Sequence, residues 1–369
     1  MAARPPTRRP TPGAATRVST AARPPVRDFA GGSSFVVEWD VRPVFDFMFS
    51  LSTDAGSTDD LPAEDRQWLT EAKAALPADI RSEIKALNET EMAIHVASFA
   101  VEYPGLRTVD DLLAALEAVP APDLMLAMLG DFEIGPDTAT VARAALNGDK
   151  DALERLLAAA GEHGKRLNLL LADPVETKRR ILAVLQAWTT PFKTIEDRIA
   201  SIGRRDFAMR AGDRATMGSL DLIERTTGGV RLLPAAGIRR VILGPSYFSR
   251  PYNFLLGGDG WRFLGYPVAD EALDIADPLA PPPSVVRLHR ALGDPTRMRI
   301  LKLLAGRDLY ATEIAQQLEL SKPTIKHHLA LLRAAGLVTI TESGAVVYYS
   351  LRRDRLDDAS VELKRFLGA

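Results

Sequence analysis

A proline-rich segment that coincides with a reversal of charge divides this chain of 369 residues into two unequal parts. Residues 35–283 contain 26 basic and 38 acidic residues, whereas residues 284–369 contain 14 basic and nine acidic residues. Segments rich in proline act as semi-rigid spacers between domains. We therefore predict a linker at residues 277–284, between an acidic domain at residues 35–276 and a basic domain at residues 285–369.

Residues 1–34 form a third region of different composition, with six arginines, six prolines and one aspartate. Almost none of their side chains could pack into a core, so the composition predicts a disordered basic tail. The scarcity of acids is also typical of an organellar transit peptide, but the prolines disfavour the amphipathic helix that such a peptide forms. Two basic ends around an acidic body indicate a polyanionic partner.

The overall composition excludes several classes of protein and of site. With 46% apolar and 25% charged residues, the chain has the composition of a soluble globular protein. No apolar run approaches the roughly 20 residues of a membrane-spanning helix, so no membrane contact is expected. The absence of cysteine excludes disulfides, thiolate-bound metals and iron–sulfur clusters. The five histidines have no metal-site spacing, and we expect neither a bound metal nor a cofactor.

The acidic domain shows mainly helical patterns followed by short strands. Apolar spacing predicts helices over much of residues 44–225, with Asp59 and Asp60 as caps before Pro62. From residue 229 the period shortens, and antiparallel strands are predicted within residues 230–264, with a hairpin loop at residues 257–260. The predicted fold class is therefore mainly α with small β elements (α+β).

The acidic domain contains no motif of a known catalytic site. We find no phosphate-binding loop, dinucleotide-binding fingerprint or nucleophile elbow, so no enzymatic activity is predicted. His95 and His163 are interpreted as structural. The large apolar side chains could line a ligand pocket, but their helical spacing favours a plain core. They are Trp39, Phe45, Phe47, Met48, Phe49, Met92, Phe99, Trp188 and Phe192.

The basic domain contains two short helices separated by a tight turn, which is the pattern of a helix-turn-helix. The first helix is predicted at residues 311–318 and the second at residues 322–335, with Ser321 as its cap. Two further helices precede this pair.

Two strands and a last helix follow the helix pair. Residues 337–341 and 345–351 can pair as a two-stranded wing, and the last helix runs from Asp354 to Leu367. The order of elements predicts a winged helix-turn-helix.

The second helix of the pair has one apolar and one polar face. Ile325, Leu329 and Leu332 recur at helical spacing and are predicted to face the core. The opposite face is free to enter a major groove, where cations and hydroxyls contact phosphates and base edges. The predicted contacts to double-stranded DNA are Ser321, Lys322, Pro323, Thr324, Lys326, His327, His328 and Arg333. Alternatively, the cations only form a solvent-exposed face. For His328, packing against the core is an equal alternative to a DNA contact.

Four runs of the basic domain resemble the ArsR/SmtB family of winged helix-turn-helix regulators. They are L-G-D-P-T-R at 292–297, L-S-K-P-T at 320–324, H-H-L at 327–329 and L-R-A-A-G-L-V at 332–338. The resemblance implies binding of double-stranded DNA and a homodimer formed by the first and last helices of this domain. Six apolar residues could form that interface or belong to the intradomain core: Val285, Leu288, Leu292, Val361, Leu363 and Phe366.

The chain departs from the family pattern at the sites where many members bind metals. Cysteines are usual before the helix pair, where this chain has R-D-L-Y-A at 307–311. The other usual site combines Asp and His on the last helix, where Asp357, Asp358 and Glu362 have no histidine beside them. A metal sensor is therefore not expected.

The wing tip at residues 342–345 lacks the arginine that is usual in the family. Arg352 and Arg353, directly after the wing, are predicted to contact phosphates instead.

These observations favour a sequence-specific DNA-binding transcriptional regulator of repressor type in the cytoplasm, associated with the nucleoid. The acidic domain resembles the long N-terminal domains fused to some ArsR-like regulators, and we expect it to sense a small-molecule effector or a partner. The alternative is an architectural DNA-binding protein without an effector. Such a protein would show weak sequence preference and a steep salt dependence of its DNA affinity. An enzyme with an appended regulatory module is a third hypothesis.

Overall fold

The computed structural model describes residues 35–53, 55–56, 59–90, 92–129, 138–161, 164–232, 237–273, 279–343 and 346–368. The predicted tail, His163 and residues 344–345 of the predicted wing tip lie outside these ranges. Within them helices predominate and the strands form two small sheets, which confirms the predicted mainly α fold class.

Residues 36–273, here called the N-terminal region, fold mostly into helices. They are α1 (Val44–Phe49), α2 (Ala63–Ala75), α3 (Ala78–Asn88), α4 (Met92–Glu102), α5 (Val109–Ala118), α6 (Ala121–Leu129), α7 (Thr138–Leu146), α8 (Lys150–Ala159), α9 (Gly164–Ala172), α10 (Pro174–Lys193), α11 (Glu196–Met209), α12 (Ala211–Thr216) and α13 (Ser219–Thr227). Among the helices of the described ranges, none alone is long and apolar enough to span a membrane. The consecutive helices α5 and α6, which are bent by 119° relative to each other, together have the length and composition of such a span.

A four-stranded mixed sheet packs with these helices. Its order is β1 (Val36–Trp39), β3 (Arg240–Ser246), β5 (Trp261–Pro267) and β4 (Phe254–Gly258). Only β4 and β5 pair antiparallel, whereas β1 pairs parallel with β3, and β3 with β5. The prediction of antiparallel strands is therefore right for the β4–β5 hairpin and wrong for the rest, because the helices from α1 to α13 return the chain to the starting end of β1.

The loop of the β4–β5 hairpin is shorter than predicted. Gly257 and Gly258 belong to β4, and the turn consists of Asp259 and Gly260. Gly260 has a φ of +75°, a left-handed conformation that glycine adopts without a steric penalty.

The large apolar side chains of the N-terminal region form its core. Phe47 on α1 and Phe192 on α10 meet edge to face, with ring centroids 5.2 Å apart. The prediction of a plain core is confirmed for the side chains that are described, all at most 5% exposed: Trp39, Phe45, Phe47, Met48, Phe49, Phe99, Trp188 and Phe192. His95 is half-buried on α4.

Residues 283–368, here called the C-terminal region, contain the predicted helix pair and wing. The elements are α14 (Pro283–Leu292), α15 (Pro295–Leu304), β6 (Leu309–Tyr310), α16 (Ala311–Leu318), α17 (Lys322–Ala334), β7 (Val338–Ser343), β8 (Val346–Leu351) and α18 (Arg353–Leu367). Helix α14 begins inside the segment predicted as a linker, since proline is well suited to a first helical turn.

The second sheet combines strands from both regions of the chain. Its order is β2 (Val230–Arg231), β7, β8 and β6, so the predicted wing hairpin gains a strand at each edge. Strand β2 pairs parallel with β7, with Val230 opposite Ile340. Residues 230–231 were predicted among the other strands of the acidic domain, and they join the wing because Val230 and Ile340 are buried in one apolar cluster.

Gly229 permits this close approach of the N-terminal region to the wing. Its φ is +124°, and a Cβ atom at this position would lie 3.0 Å from the carbonyl oxygen of Val338. The Ile340 amide donates to the carbonyl oxygen of Gly229 at 2.8 Å. A side chain at residue 229 would therefore force β2 and β7 apart.

Candidate nucleic-acid interface

A left-handed residue makes the turn between α16 and α17. Glu319 has a φ of +56°, and the amide of Leu320 donates to the carbonyl oxygen of Ala315 at 3.1 Å. This conformation is uncommon for residues other than glycine and reverses the chain within two residues. The turn sets the direction in which α17 leaves α16.

The first turn of α17 is closed by its cap. The Thr324 amide donates to Ser321 Oγ at 3.3 Å, and the hydroxyls of Ser321 and Thr324 lie 2.7 Å apart. Lys322 and Pro323 complete this turn, and all four residues are exposed. The remaining amides and the positive end of the helix dipole form a favourable environment for a phosphate.

Burial divides α17 into the two predicted faces. Ile325, Leu329 and Leu332 are at most 1% exposed and belong to the core of the C-terminal region. Lys326 and His327 are exposed on the other side of the helix. The helical spacing thus predicted correctly which side chains of α17 are buried.

The exposed lysines of α17 are free of competing carboxylates. Within the ranges that the structure describes, neither Lys322 nor Lys326 forms an ion pair. Their charges therefore remain available to a polyanion.

His328 and Arg333 lie closer to the core than the other predicted contacts. The His328 side chain is 15% exposed, and its Nδ1 lies 3.9 Å from Oδ1 of Asp294, the cap of α15. Arg333 is half-buried. For His328 the geometry favours packing between α17 and α15, which was one of the two alternatives.

The two arginines after the wing differ in exposure. Arg352 is 8% exposed, and its Nη2 donates to Asp354 Oδ2 at 3.0 Å. Burial and the pairing with Asp354 make Arg352 less accessible than expected, and its contact with a phosphate stays a prediction. Arg353 is exposed and donates to the carbonyl oxygen of Ala305 at 2.8 Å, and its contact with DNA stays a prediction.

The wing is an antiparallel hairpin. Strands β7 and β8 pair from Val338 opposite Leu351 to Ser343 opposite Val346. The wing follows α17 in the chain after a short turn. This turn contains Gly336, which has a φ of +70°.

Known proteins with similar sequences share this region. Residues 294–339 match the family described as bacterial regulatory protein, arsR family. The transcriptional repressor SdpR of Bacillus subtilis (strain 168) is 43% identical over 81 residues, which are 22% of this chain and 90% of SdpR. The chain belongs to the ArsR family. It is thus a DNA-binding regulator by family, and the fold of its C-terminal region agrees.

Other ArsR-family relatives cover a similar share of the chain. The HTH-type transcriptional regulator CmtR of Mycobacterium tuberculosis (strain ATCC 25618 / H37Rv) is 41% identical over 80 residues, 22% of this chain and 68% of CmtR. Reduced HlyU from Vibrio cholerae N16961 is a solved structure with 31% identity and a TM-score of 0.19, covering 22% of this chain and 86% of HlyU. Each match therefore accounts for about a fifth of this ArsR-family chain.

The positions at which many ArsR-family proteins bind metals hold no metal-binding cluster in the described part of this chain. No group of three or more His, Cys, Asp or Glu side chains there could hold an ion. On α18, Glu362 instead accepts from Arg355, with Nη2 to Oε2 at 3.0 Å.

Asp59 and Asp60 have a different role from the one predicted. The cap position of α2 is Pro62, without a side-chain hydrogen bond. Asp59 accepts from Arg290 Nη1 at 2.9 Å, and Asp60 forms an ion pair with Arg287. The prediction that they cap α2 is therefore wrong, because these carboxylates pair with α14 of the C-terminal region.

No sequence signal could have identified these two ion pairs. Their partners are more than 200 positions apart, and the arginines of α14 resemble any solvated helix face. Only the tertiary fold brings them together.

Proposed function

We propose that this ArsR-family chain is a homodimeric transcriptional repressor that binds a specific DNA sequence through α17, and that residues 35–276 sense an effector other than a metal ion. The observation that carries the proposal is the exposed face of α17, where two lysines without an ion pair among the described residues lie beside a helix start that suits a phosphate. A buried opposite face holds this surface rigidly on the core.

The exposed polar residues of α17 have chemical roles in the proposal. Lys322 and Lys326 neutralise phosphates or donate to guanine edges, and Thr324 contacts a base edge or a thymine methyl group. The amides after Ser321 bind a phosphate at the helix start. His327 reads a base edge, and Arg353 holds the flanking backbone.

Helix α18 supports the proposal of a homodimer. Leu356, Leu363 and Leu367 lie on one side of this helix, where Leu356 and Leu367 are 38% and 66% exposed. No residue of α18 is fully buried. By contrast, Val285 and Leu288 of α14 are already buried inside the chain. A two-fold dimer through α18 would read an inverted repeat with half-sites about 10 base pairs apart.

The chemistry of the chain supports a sensor that uses no metal. One relative with 37% identity over 71 residues is named a cadmium resistance transcriptional regulatory protein CadC homolog, from Staphylococcus aureus. This chain contains no cysteine, so it has no thiolate for a soft metal.

The pairing of β2 with β7 supports the sensing role of the N-terminal region, because it connects this region directly to the wing.

Selection from a randomised duplex library tests the proposal. The full chain is incubated with the library at a stated salt concentration, and bound sequences are determined over several rounds. We expect enrichment of an inverted repeat. Binding that is steeply salt-dependent but enriches no sequence would favour the architectural alternative, and absence of binding would contradict the proposal.

A pair of matched variants locates the surface that reads the enriched duplex. Lys322→Ala with Lys326→Ala should abolish the enrichment, whereas Lys302→Ala on the exposed side of α15 should preserve it. If the enrichment is the same in both variants, α17 is not the helix that recognises the DNA sequence.

A further inference from the structure

A cleft of about 820 Å³ lies between the N-terminal region and the winged helix. Its polar wall contains three guanidinium groups, from Arg287, Arg290 and Arg297, and two carboxylates, from Asp59 and Asp60. Small-molecule sites typically have volumes of about 300–1,000 Å³, so an effector of ordinary size would fit.

The apolar wall of the same cleft includes the recognition helix itself. Tyr252 comes from the N-terminal region, Val286 from α14, and Leu331 and Ala334 from the C-terminal half of α17. A molecule in this cleft would therefore touch both regions and the helix assigned to DNA.

The positive charges of the cleft are incompletely compensated. Asp59 accepts from Arg290 at 2.9 Å and also from Arg66 at 2.8 Å, so one carboxylate serves two guanidinium groups. Arg287 pairs with Asp60, but among the described residues its Nε has no hydrogen-bond acceptor although it is buried. A buried donor without an acceptor is costly, and a ligand oxygen would relieve that cost.

Desolvation of Arg287 adds to this imbalance. Burial and, to a smaller extent, the nearby charge of Arg355 lower the pKa of its guanidinium group to about 10, against the opposing charge of Glu362. The group stays charged at neutral pH, so an added negative charge beside it would be favourable.

We infer that this cleft binds the effector and that the effector is a small organic anion. Its carboxylate or phosphate group lies between Arg287 and Arg290, and its apolar part contacts Tyr252, Val286 and Leu331. Guanidinium groups suit such anions because their planar donors match two oxygen atoms at once. This inference rests on the proposed function, because it names the ligand class of the proposed sensor.

Binding would change the link between the two regions. Arg290 and Asp59 are 66% and 53% exposed, and exposed ion pairs contribute little to stability, so an anion can replace Asp59 at low cost. One of the two ion pairs from the N-terminal region to α14 would then be lost while the ligand contacts α17 directly. Ligand and DNA affinity would be coupled through this exchange.

Fluorescence titration of the full chain with 8-anilinonaphthalene-1-sulfonate tests the site. This probe is an aromatic anion, and N-phenyl-1-naphthylamine is its neutral counterpart. We expect saturable binding of one anionic probe per chain, weakened about tenfold or more by Arg290→Gln, which removes a charge-assisted hydrogen bond. The neutral probe should not respond to this variant.

Two further variants keep the test decisive. Arg287→Gln should weaken the anion like Arg290→Gln, and if it unfolds the chain the exposed Arg290 still gives the answer. Arg299→Gln, on the exposed side of α15 and outside the cleft, should leave both probes unchanged. Equal anion affinity in Arg290→Gln and Arg299→Gln, or no saturable binding, would overturn the site.

A second titration separates this inference from the proposed function. The affinity for an enriched duplex is measured with and without saturating anionic probe, and we expect it to change by the factor by which the duplex changes probe affinity. Unchanged duplex affinity would overturn the cleft as the effector site. If no duplex is bound, the proposed function fails, while the variants still decide whether the cleft binds anions.

Discussion

The N-terminal region buries several charged side chains in internal networks, whereas α17 exposes Lys322 and Lys326, which form no ion pair within the part of the chain that the structure describes. Asp206 on α11 is fully buried and accepts from the Tyr266 hydroxyl at 2.7 Å, from Arg210 Nε at 2.8 Å and from the Ala269 amide at 2.8 Å. Lys322 and Lys326 lie exposed on α17. Charged residues therefore stabilise the fold in one region and remain available for DNA in the other.

A second network in the N-terminal region also combines an aspartate, an arginine and a tyrosine. Asp65 on α2 accepts from Arg198 Nη1 at 3.2 Å and from the hydroxyl of Tyr247. Burial, and then the hydrogen bond to Asp65, raises the pKa of Tyr247, so the phenol stays protonated and donates. Each network connects a helix to the segment within or after a strand of the mixed sheet.

Removal of the Asp206 carboxylate should have the largest effect on stability. Burial opposes the charge of Arg210, but Asp206 and Tyr266 together outweigh it and raise the pKa of Arg210. Asp206→Ala would leave this cation buried without its partner, and we expect a loss of about 3–5 kcal/mol in the free energy of unfolding. Chemical denaturation followed by tryptophan fluorescence measures it.

The matched control for this variant is Glu154→Ala on the exposed side of α8. A surface substitution of this kind changes stability by less than about 0.5 kcal/mol. Similar losses in the two variants would contradict the contrast between buried and exposed charges.

Asp46 should make stability depend on pH. Burial raises its pKa from 3.8 to about 6, although Ser246 and the amides of Phe248 and Tyr247 donate to it. The folded state therefore holds this proton more tightly than the unfolded state. Its contribution is complete below about pH 4 and is lost as the pH rises through about 6, a change of about 3 kcal/mol.

Asp46→Asn removes this titration. We expect the free energy of unfolding of the variant, relative to the original chain, to rise by about 2 kcal/mol between pH 4 and pH 7, as measured by denaturant titration at each pH. A difference that is the same at every pH would exclude Asp46 as the titrating group.

Lys326→Ala should have a smaller effect, and on DNA affinity instead of stability. If Lys326 donates to a base, we expect a loss of about 1–3 kcal/mol for the enriched duplex alone. If it contacts a phosphate, all duplexes should weaken alike and the salt slope should fall by about 1. Titration at several salt concentrations distinguishes these cases, and unchanged binding would refute both.

Arg290→Gln should have the smallest effect on stability. Its ion pair with Asp59 is exposed, and such pairs contribute less than about 1 kcal/mol to the free energy of unfolding. Denaturation of the variant checks this value. A loss of several kcal/mol would place this ion pair with the buried networks and would weaken the contrast between the two regions.

The sequence predicted the C-terminal region closely because its signals are local. Ser321 caps α17 as predicted, and the Asp294 side chain caps α15 by accepting from the Arg297 amide at 2.8 Å. The spacing of Ile325, Leu329 and Leu332 gave the buried face of α17. All of these patterns act over at most one or two helical turns.

The sequence predicted less about the N-terminal region because its errors concern distant pairings. The parallel pairing of β1 with β3 joins residues about 200 positions apart, and β2 joins a wing more than 100 positions later. Strand periodicity identifies a strand but not its partner. The burial of Arg352 was likewise not visible in the sequence, because it depends on the fold.

The sequence by itself determined the family, the helices and caps of the winged helix-turn-helix, and the polar face of α17, since helix spacing and capping depend on near neighbours. The tertiary structure decided which charges remain free. Asp59 and Asp60 became partners of Arg290 and Arg287, Arg352 became buried, and β2 joined the wing. Burial and ion pairing depend on residues that only the folded chain brings within contact distance, and no local pattern encodes them.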